Sequence, residues 1–144
     1  MTYGIFHDLN IERTVDAVFT AITTPEGLNN WWTKKASGKP KIGEEYQFYF
    51  DLDFVWHAKV VLCQSDQMIC FEMIKSDTDW EGTQLRFTLS STPTGTFLRF
   101  EHVGWKGIND HFRRTSYCWA IYLSGLKKYL EKGVVLPYEE RSQV

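Results

Sequence analysis

No apolar run in the 144-residue sequence approaches the ~20 residues that a helix needs to cross a bilayer, so a transmembrane protein is not expected. A basic excess is also missing. The formal net charge is −2 at pH 7, which argues against a nucleic-acid partner. Lys34, Lys35, Lys39 and Lys41 cluster locally, and such a run reads as a solvated loop. The three cysteines, Cys63, Cys70 and Cys118, cannot all pair within the chain and form no close metal-type pair. Neither a disulfide framework nor a metal site is expected. Cys63 and Cys118 fall within apolar patterns, where a buried thiol behaves as a small hydrophobe, and a reduced, cytoplasmic setting fits. The opening MTYGIFHDLNIER shows no basic stretch leading into an apolar one, so no secretory signal is read there.

Catalytic signatures are equally sparse. No serine lies in a Gly-x-Ser-x-Gly turn, no cysteine has an evident base beside it, and no Gly-rich phosphate loop occurs. No catalytic residue and no cofactor are therefore expected. The run from Asp77 to Gly82 (DTDWEG) begins like a calcium loop, but its twelfth position is Thr88, where a bidentate Glu is required. A surface turn with solvated acids explains it.

What the sequence has in quantity is aromatic side chains. Six Trp, ten Phe and seven Tyr make 16% of the chain, so large rigid groups dominate a core, a cavity wall, or both. The length suits one domain, expected over residues 1–133, with residues 134–144 as a short tail.

Periodicity sets the order of elements. Tyr3 to Ile11 alternates as a first strand. Thr14 reads as a helix cap ahead of Val15, Val18, Phe19 and Ile22, and Thr24-Pro25-Glu26 starts a second short helix. Leu28, Trp31 and Trp32 share one face of it. Lys34 to Gly43 reads as a loop. Strands follow over Glu44–Phe50, Phe54–Cys63, Met68–Ile74, Gly82–Ser91 and Thr96–Val103. In the strand from Phe54, Trp56, Ala58, Val60 and Leu62 are taken as inward, which keeps Lys59 wet; a one-residue slip would invert the set. From Asp110 the period becomes helical to Lys132, with Phe112, Trp119, Leu123, Leu126 and Leu130 on one side.

This order, together with TVDAVFTAITTPEGLNNWW (14–32), WEGTQLRFTL (80–89) and SYCWAIYLSGLKKYLEKG (116–133), resembles the START-like (SRPBCC) superfamily. The likeness is to the branch named after the activator of heat-shock-protein-90 ATPase. The last helix of that branch often carries Gly-Trp; here Cys118 precedes Trp119. The resemblance implies an α+β helix-grip fold: a curved six-stranded antiparallel sheet wrapped around the long C-terminal helix, with two short helices after the first strand.

It also implies a cavity between sheet and helix that takes a small hydrophobic molecule. The residues expected to line it are Phe48, Phe71, Phe87, Phe100, His102, Trp119 and Leu123, with Trp32 and Phe112 near an entrance. Non-catalytic binding of a hydrophobic or aromatic ligand, lipid included, is the preferred function. Two alternatives stay open. One is a cyclase or dehydratase-type enzyme with His102 or Tyr122 as acid or base; the other is a chaperone-associated interaction module. A second copy of the chain or a chaperone is the protein partner these readings allow.

Overall fold

The computed structural model describes residues 1–141. Its elements are β1 (Tyr3–Ile11), α1 (Val15–Thr23), α2 (Pro25–Asn29), β2 (Lys35–Ser37), β3 (Glu45–Asp51), β4 (Phe54–Gln64), β5 (Met68–Lys75), β6 (Gln84–Thr92), β7 (Gly95–Trp105) and α3 (Asp110–Lys132). One antiparallel sheet runs in the order β1-β7-β6-β5-β4-β3-β2. The sheet therefore has seven strands where the sequence predicted six. The added strand is Lys35–Ser37, within the segment read as a loop, and it pairs with Gln47–Tyr49 of β3. Three residues are too few for an alternation to show.

The helices start and stop for local reasons. Thr24 Oγ1 accepts from Gly27 N at 3.0 Å to cap α2, with Pro25 in the first turn. Thr14 stands at the N-cap of α1 as expected, with its carbonyl accepting from Val18 N at 3.1 Å, but its hydroxyl is turned to the Asp16 carboxylate and makes no side-chain cap. Asn109 Oδ1 accepts from Phe112 N at 2.8 Å at the start of α3, and Gly133, with φ 68°, closes its end. Among the described residues no helix is long and apolar enough to cross a membrane.

The core lies between the concave sheet face and the helices. Tyr46, Phe48, Val60, Phe71, Leu85, Phe87, Leu98 and Phe100 from the sheet are fully buried there, against Trp119, Leu123 and Leu126 of α3. Two register shifts break the alternation of β4, between His57 and Ala58 and between Val60 and Leu62. Ala58 and Val60 face the core as expected, but past the second shift Leu62 turns outward and is 48% exposed. Of the cysteines, all free, Cys70 is the buried one; Cys63 and Cys118 are half-buried. Beyond α3 the chain folds back through a single 3-10 turn at Tyr138–Glu140. Arg141 is buried there and donates to Thr33 O at 3.1 Å and Leu136 O at 3.0 Å.

Candidate functional site

A cleft of about 440 Å³ opens between the N-terminal half of α3 and the β3–β4 end of the sheet. That is within the range of cavities that hold small molecules. Its wall is aromatic, and five of its rings form a closed circuit. Trp32 lies 5.5 Å from Phe50, Phe50 4.9 Å from Trp56, and Trp56 4.6 Å from Trp80 (ring centroids). Trp80 stacks on Trp119 at 5.9 Å, and Trp119 returns to Trp32 at 5.0 Å. Phe54, Tyr122 and Tyr138 complete the aromatic lining.

Each side chain reaches the cleft through a local feature. Trp32 follows α2, and its backbone N–H bonds back to Leu28 O at 2.9 Å. Phe50 and Trp56 flank the β3–β4 hairpin, where a register shift between Tyr49 and Asp51 sits beside the turn. On α3, His111, Arg114, Thr115, Cys118, Trp119 and Tyr122 recur at three- and four-residue spacing and so present one face to the cleft. Tyr138 comes from the folded-back tail, where burial pushes its phenol up to about 12.

The polar groups of the wall are few. Asp77 faces His111, whose Nε2 is 3.8 Å from Asp77 Oδ2 and whose Nδ1 is 3.0 Å from Asp79 Oδ2. The acids of the expected surface turn are thus drawn to the start of α3. Arg114 is exposed at the rim. Burial pushes the Cys118 thiol up despite the nearby Arg114, so it stays protonated near neutral pH. Among the described residues no group of three or more His, Cys, Asp or Glu side chains is placed to hold a metal ion.

The residues nominated from the sequence divide into two sets. Trp32 and Trp119 line the cleft. Phe48, Phe71, Phe87 and Phe100 are fully buried and pack on one another, with edge-on contacts such as Phe48 to Phe71 at 5.6 Å and Phe87 to Phe100 at 5.1 Å. Leu123 is buried on the same core face of α3, and Phe112 packs edge-on against Trp105 at 5.2 Å.

His102 stands behind the cleft rather than in it, its ring 4.6 Å from Trp80. Trp119 Nε1 donates to its Nδ1 at 3.1 Å, and its Nε2 is 2.8 Å from Thr83 Oγ1. Burial, helped by His111, lowers its pKa to about 3, so it is neutral at physiological pH. With both nitrogens engaged, it has no lone pair left to act as a base.

Sequence reasoning missed Phe50, Phe54, Trp56, Asp77, Trp80, His111, Arg114, Thr115, Cys118 and Tyr138 as wall residues. The α3 members were within reach, since helical spacing puts them on the face of Trp119 once polar residues are counted. Phe50 and Trp56 of the hairpin share the inward phase of their strands, but alternation does not separate a cleft wall from a packed core, and Phe54 and Tyr138 carried no periodic signal.

The family described as Activator of Hsp90 ATPase homolog 1-like protein matches residues 12–131. Among solved structures, the Aha1 dimer from Colwellia psychrerythraea is similar at 29% identity and a TM-score of 0.82, over 91% of this chain and 98% of that chain. Protein SSP2350 from Staphylococcus saprophyticus is similar at 19% identity and a TM-score of 0.77, over 93% of this chain and 96% of that chain. CalU16 from Micromonospora echinospora is similar at 18% identity and a TM-score of 0.71, over 97% of this chain and 83% of that chain. At those identities the last two carry the fold alone. No curated protein matches the chain.

Proposed function

The chain belongs to the family of Activator of Hsp90 ATPase homolog 1-like proteins, and we propose that it binds a small apolar or aromatic molecule in the cleft beside α3. The observation that carries this reading is the closed circuit of Trp32, Phe50, Trp56, Trp80 and Trp119 around an open volume. Such rings offer flat faces and edges to a flat guest without a large cost in side-chain entropy. The binding is non-catalytic in this reading. Of the two acid or base candidates nominated from the sequence, His102 is fully engaged by Trp119 and Thr83, and Tyr122 lines the cleft with no second titratable group paired to it by the sequence pattern.

Native mass spectrometry of freshly purified protein, followed by extraction after unfolding, tests the proposal. A reproducible small apolar mass that is lost on unfolding supports it. An empty protein that also shows no change in tryptophan emission across a panel of aromatic compounds would overturn it.

A second reading, self-association, rests on the Aha1 dimer among the similar structures and on two exposed apolar side chains in the β3–β4 turn. Leu52 is 84% and Phe54 45% exposed. Light scattering after size exclusion, comparing the native chain with Leu52→Ser, decides it. A monomeric native chain at high concentration removes this reading.

A further inference from the structure

Taking the cleft as a binding site, we infer that its ligand is a small planar aromatic molecule bearing a carboxylate, and that Arg114 holds that carboxylate. The apolar part of the inference is the ring circuit already described. The charged part comes from how the two formal charges on the wall are engaged.

Asp77 has His111 as a neighbour. His111 Nε2 lies 3.8 Å from it, and the same imidazole holds Asp79 at 3.0 Å through Nδ1. Arg114 is the opposite case. It lines the cleft and makes no hydrogen bond or ion pair among the described residues. One helical turn after His111, it stands at the rim beside Thr115, whose side chain is buried in the wall. A guanidinium is a planar fork of donors that matches a carboxylate in two parallel hydrogen bonds. The Thr115 hydroxyl adds a donor or acceptor of adjustable direction.

The alternative chemistry is an aromatic cation, because ring faces also attract positive charge. That ligand would meet Arg114 as a like charge at the rim. The arrangement therefore favours the anion. An aromatic acid seated with its rings among Trp56, Trp80 and Trp119 would leave its carboxylate at the rim, where Arg114 and solvent share it.

Three probes with one ring system test this: 2-naphthoate, 2-naphthamide and 2-naphthylmethylammonium, titrated by tryptophan fluorescence against the native chain, Arg114→Gln and Arg114→Lys. Arg114 is exposed, so neither substitution removes core packing. The native chain should bind the carboxylate about fivefold tighter than the amide, as a partly solvated ion pair allows. The preference should fade with added salt, vanish in Arg114→Gln with amide affinity unchanged, and survive in part in Arg114→Lys. Equal binding of carboxylate and amide to the native chain would overturn the carboxylate inference and leave the aromatic cleft standing. Tightest binding of the ammonium would overturn it in favour of Asp77. Equal weakening of carboxylate and amide in Arg114→Gln would remove Arg114 as the anchor. Failure of all three probes would overturn this inference, and the cleft reading itself then stands or falls on the retained mass and the wider panel.

Discussion

Trp119 donates its indole N–H to Nδ1 of His102 across 3.1 Å, tying the middle of α3 to β7. An indole N–H can only donate, so Nδ1 must offer a lone pair and the ring proton must sit on Nε2. That proton then faces Thr83 Oγ1 at 2.8 Å, and the Thr83 hydroxyl donates in turn to Trp80 O at 2.6 Å. The chain of donors ends on a backbone carbonyl in the loop that carries Trp80 into the cleft. A buried polar relay thus fixes the floor of the site.

Thr83→Val keeps the shape of a side chain that is 1% exposed but removes the acceptor for His102 Nε2–H. The orphaned donor should lower stability by about 1–3 kcal/mol in urea melts. A loss below about 0.5 kcal/mol would mean that the imidazole carries its proton elsewhere.

The depressed pKa of His102, about 3 against 6.5 in an unfolded chain, makes stability depend on pH. The folded state keeps the ring neutral, while the unfolded state takes up a proton as pH falls below 6.5. Stability contributed by the neutral form is complete above pH 6.5 and is lost progressively toward pH 3, at up to about 1.4 kcal/mol per pH unit. Comparing native protein with His102→Gln between pH 7 and 5 isolates this effect from the carboxylates. The native slope should exceed that of the variant; parallel curves would sink the assignment.

Phe87 and Trp56 separate core from cleft. Phe87 is fully buried and does not line the cleft, so Phe87→Ala should cost about 3–5 kcal/mol with little change in ligand affinity. Trp56 is half-buried and lies in the ring circuit, so Trp56→Ala should cost less stability and weaken aromatic ligands severalfold. Chemical melts and fluorescence titrations of both variants check the contrast. The reverse pattern would move the site to the sheet interior.

Trp119→Ala should be costly on both counts, about 3–5 kcal/mol of stability together with the loss of the cleft floor. It removes a side chain that is 1% exposed and strands His102 Nδ1. A stable variant with unchanged ligand binding would contradict the assigned face of α3.

Gly95 begins β7 with φ 156°, and a Cβ there would lie 2.2 Å from Ile11 O, a backbone atom of β1 that cannot swing aside. Gly95→Ala should therefore lower stability by at least about 2 kcal/mol. Thermal melts of the variant check this, and an unshifted midpoint would mean that β1 and β7 part easily at that end.

The fold was legible where a period ran long enough. The alternations of β1, β6 and β7 and the 23-residue α3 are each carried by several residues in phase, and their ends fall close to the expected ones. The family likeness rested on the same core positions, and residues 12–131 bear it out. Legibility failed at short or irregular places. Lys35–Ser37 is too brief to alternate, and the shift between Val60 and Leu62 inverts the remainder of β4. For the site, the sequence could name large aromatics on the right faces but could not rank them. Phe87 and Trp119 have the same inward pattern, yet only Trp119 borders open space.

By itself the sequence determined the elements, their order and which side of each is apolar, because these follow from periods of 2 and 3.6 along the chain. The tertiary structure alone decided the rest. It brought Trp32, Phe50, Trp56, Trp80 and Trp119 into one circuit from α2, the β3–β4 hairpin, the loop before β6 and α3. It also gave His102 two partners that lie 17 and 19 residues away, and it left Arg114 without a hydrogen bond or ion pair among the described residues. Packing between distant segments sets which rings touch, which space stays open and which polar atoms are satisfied. No local pattern encodes those distances.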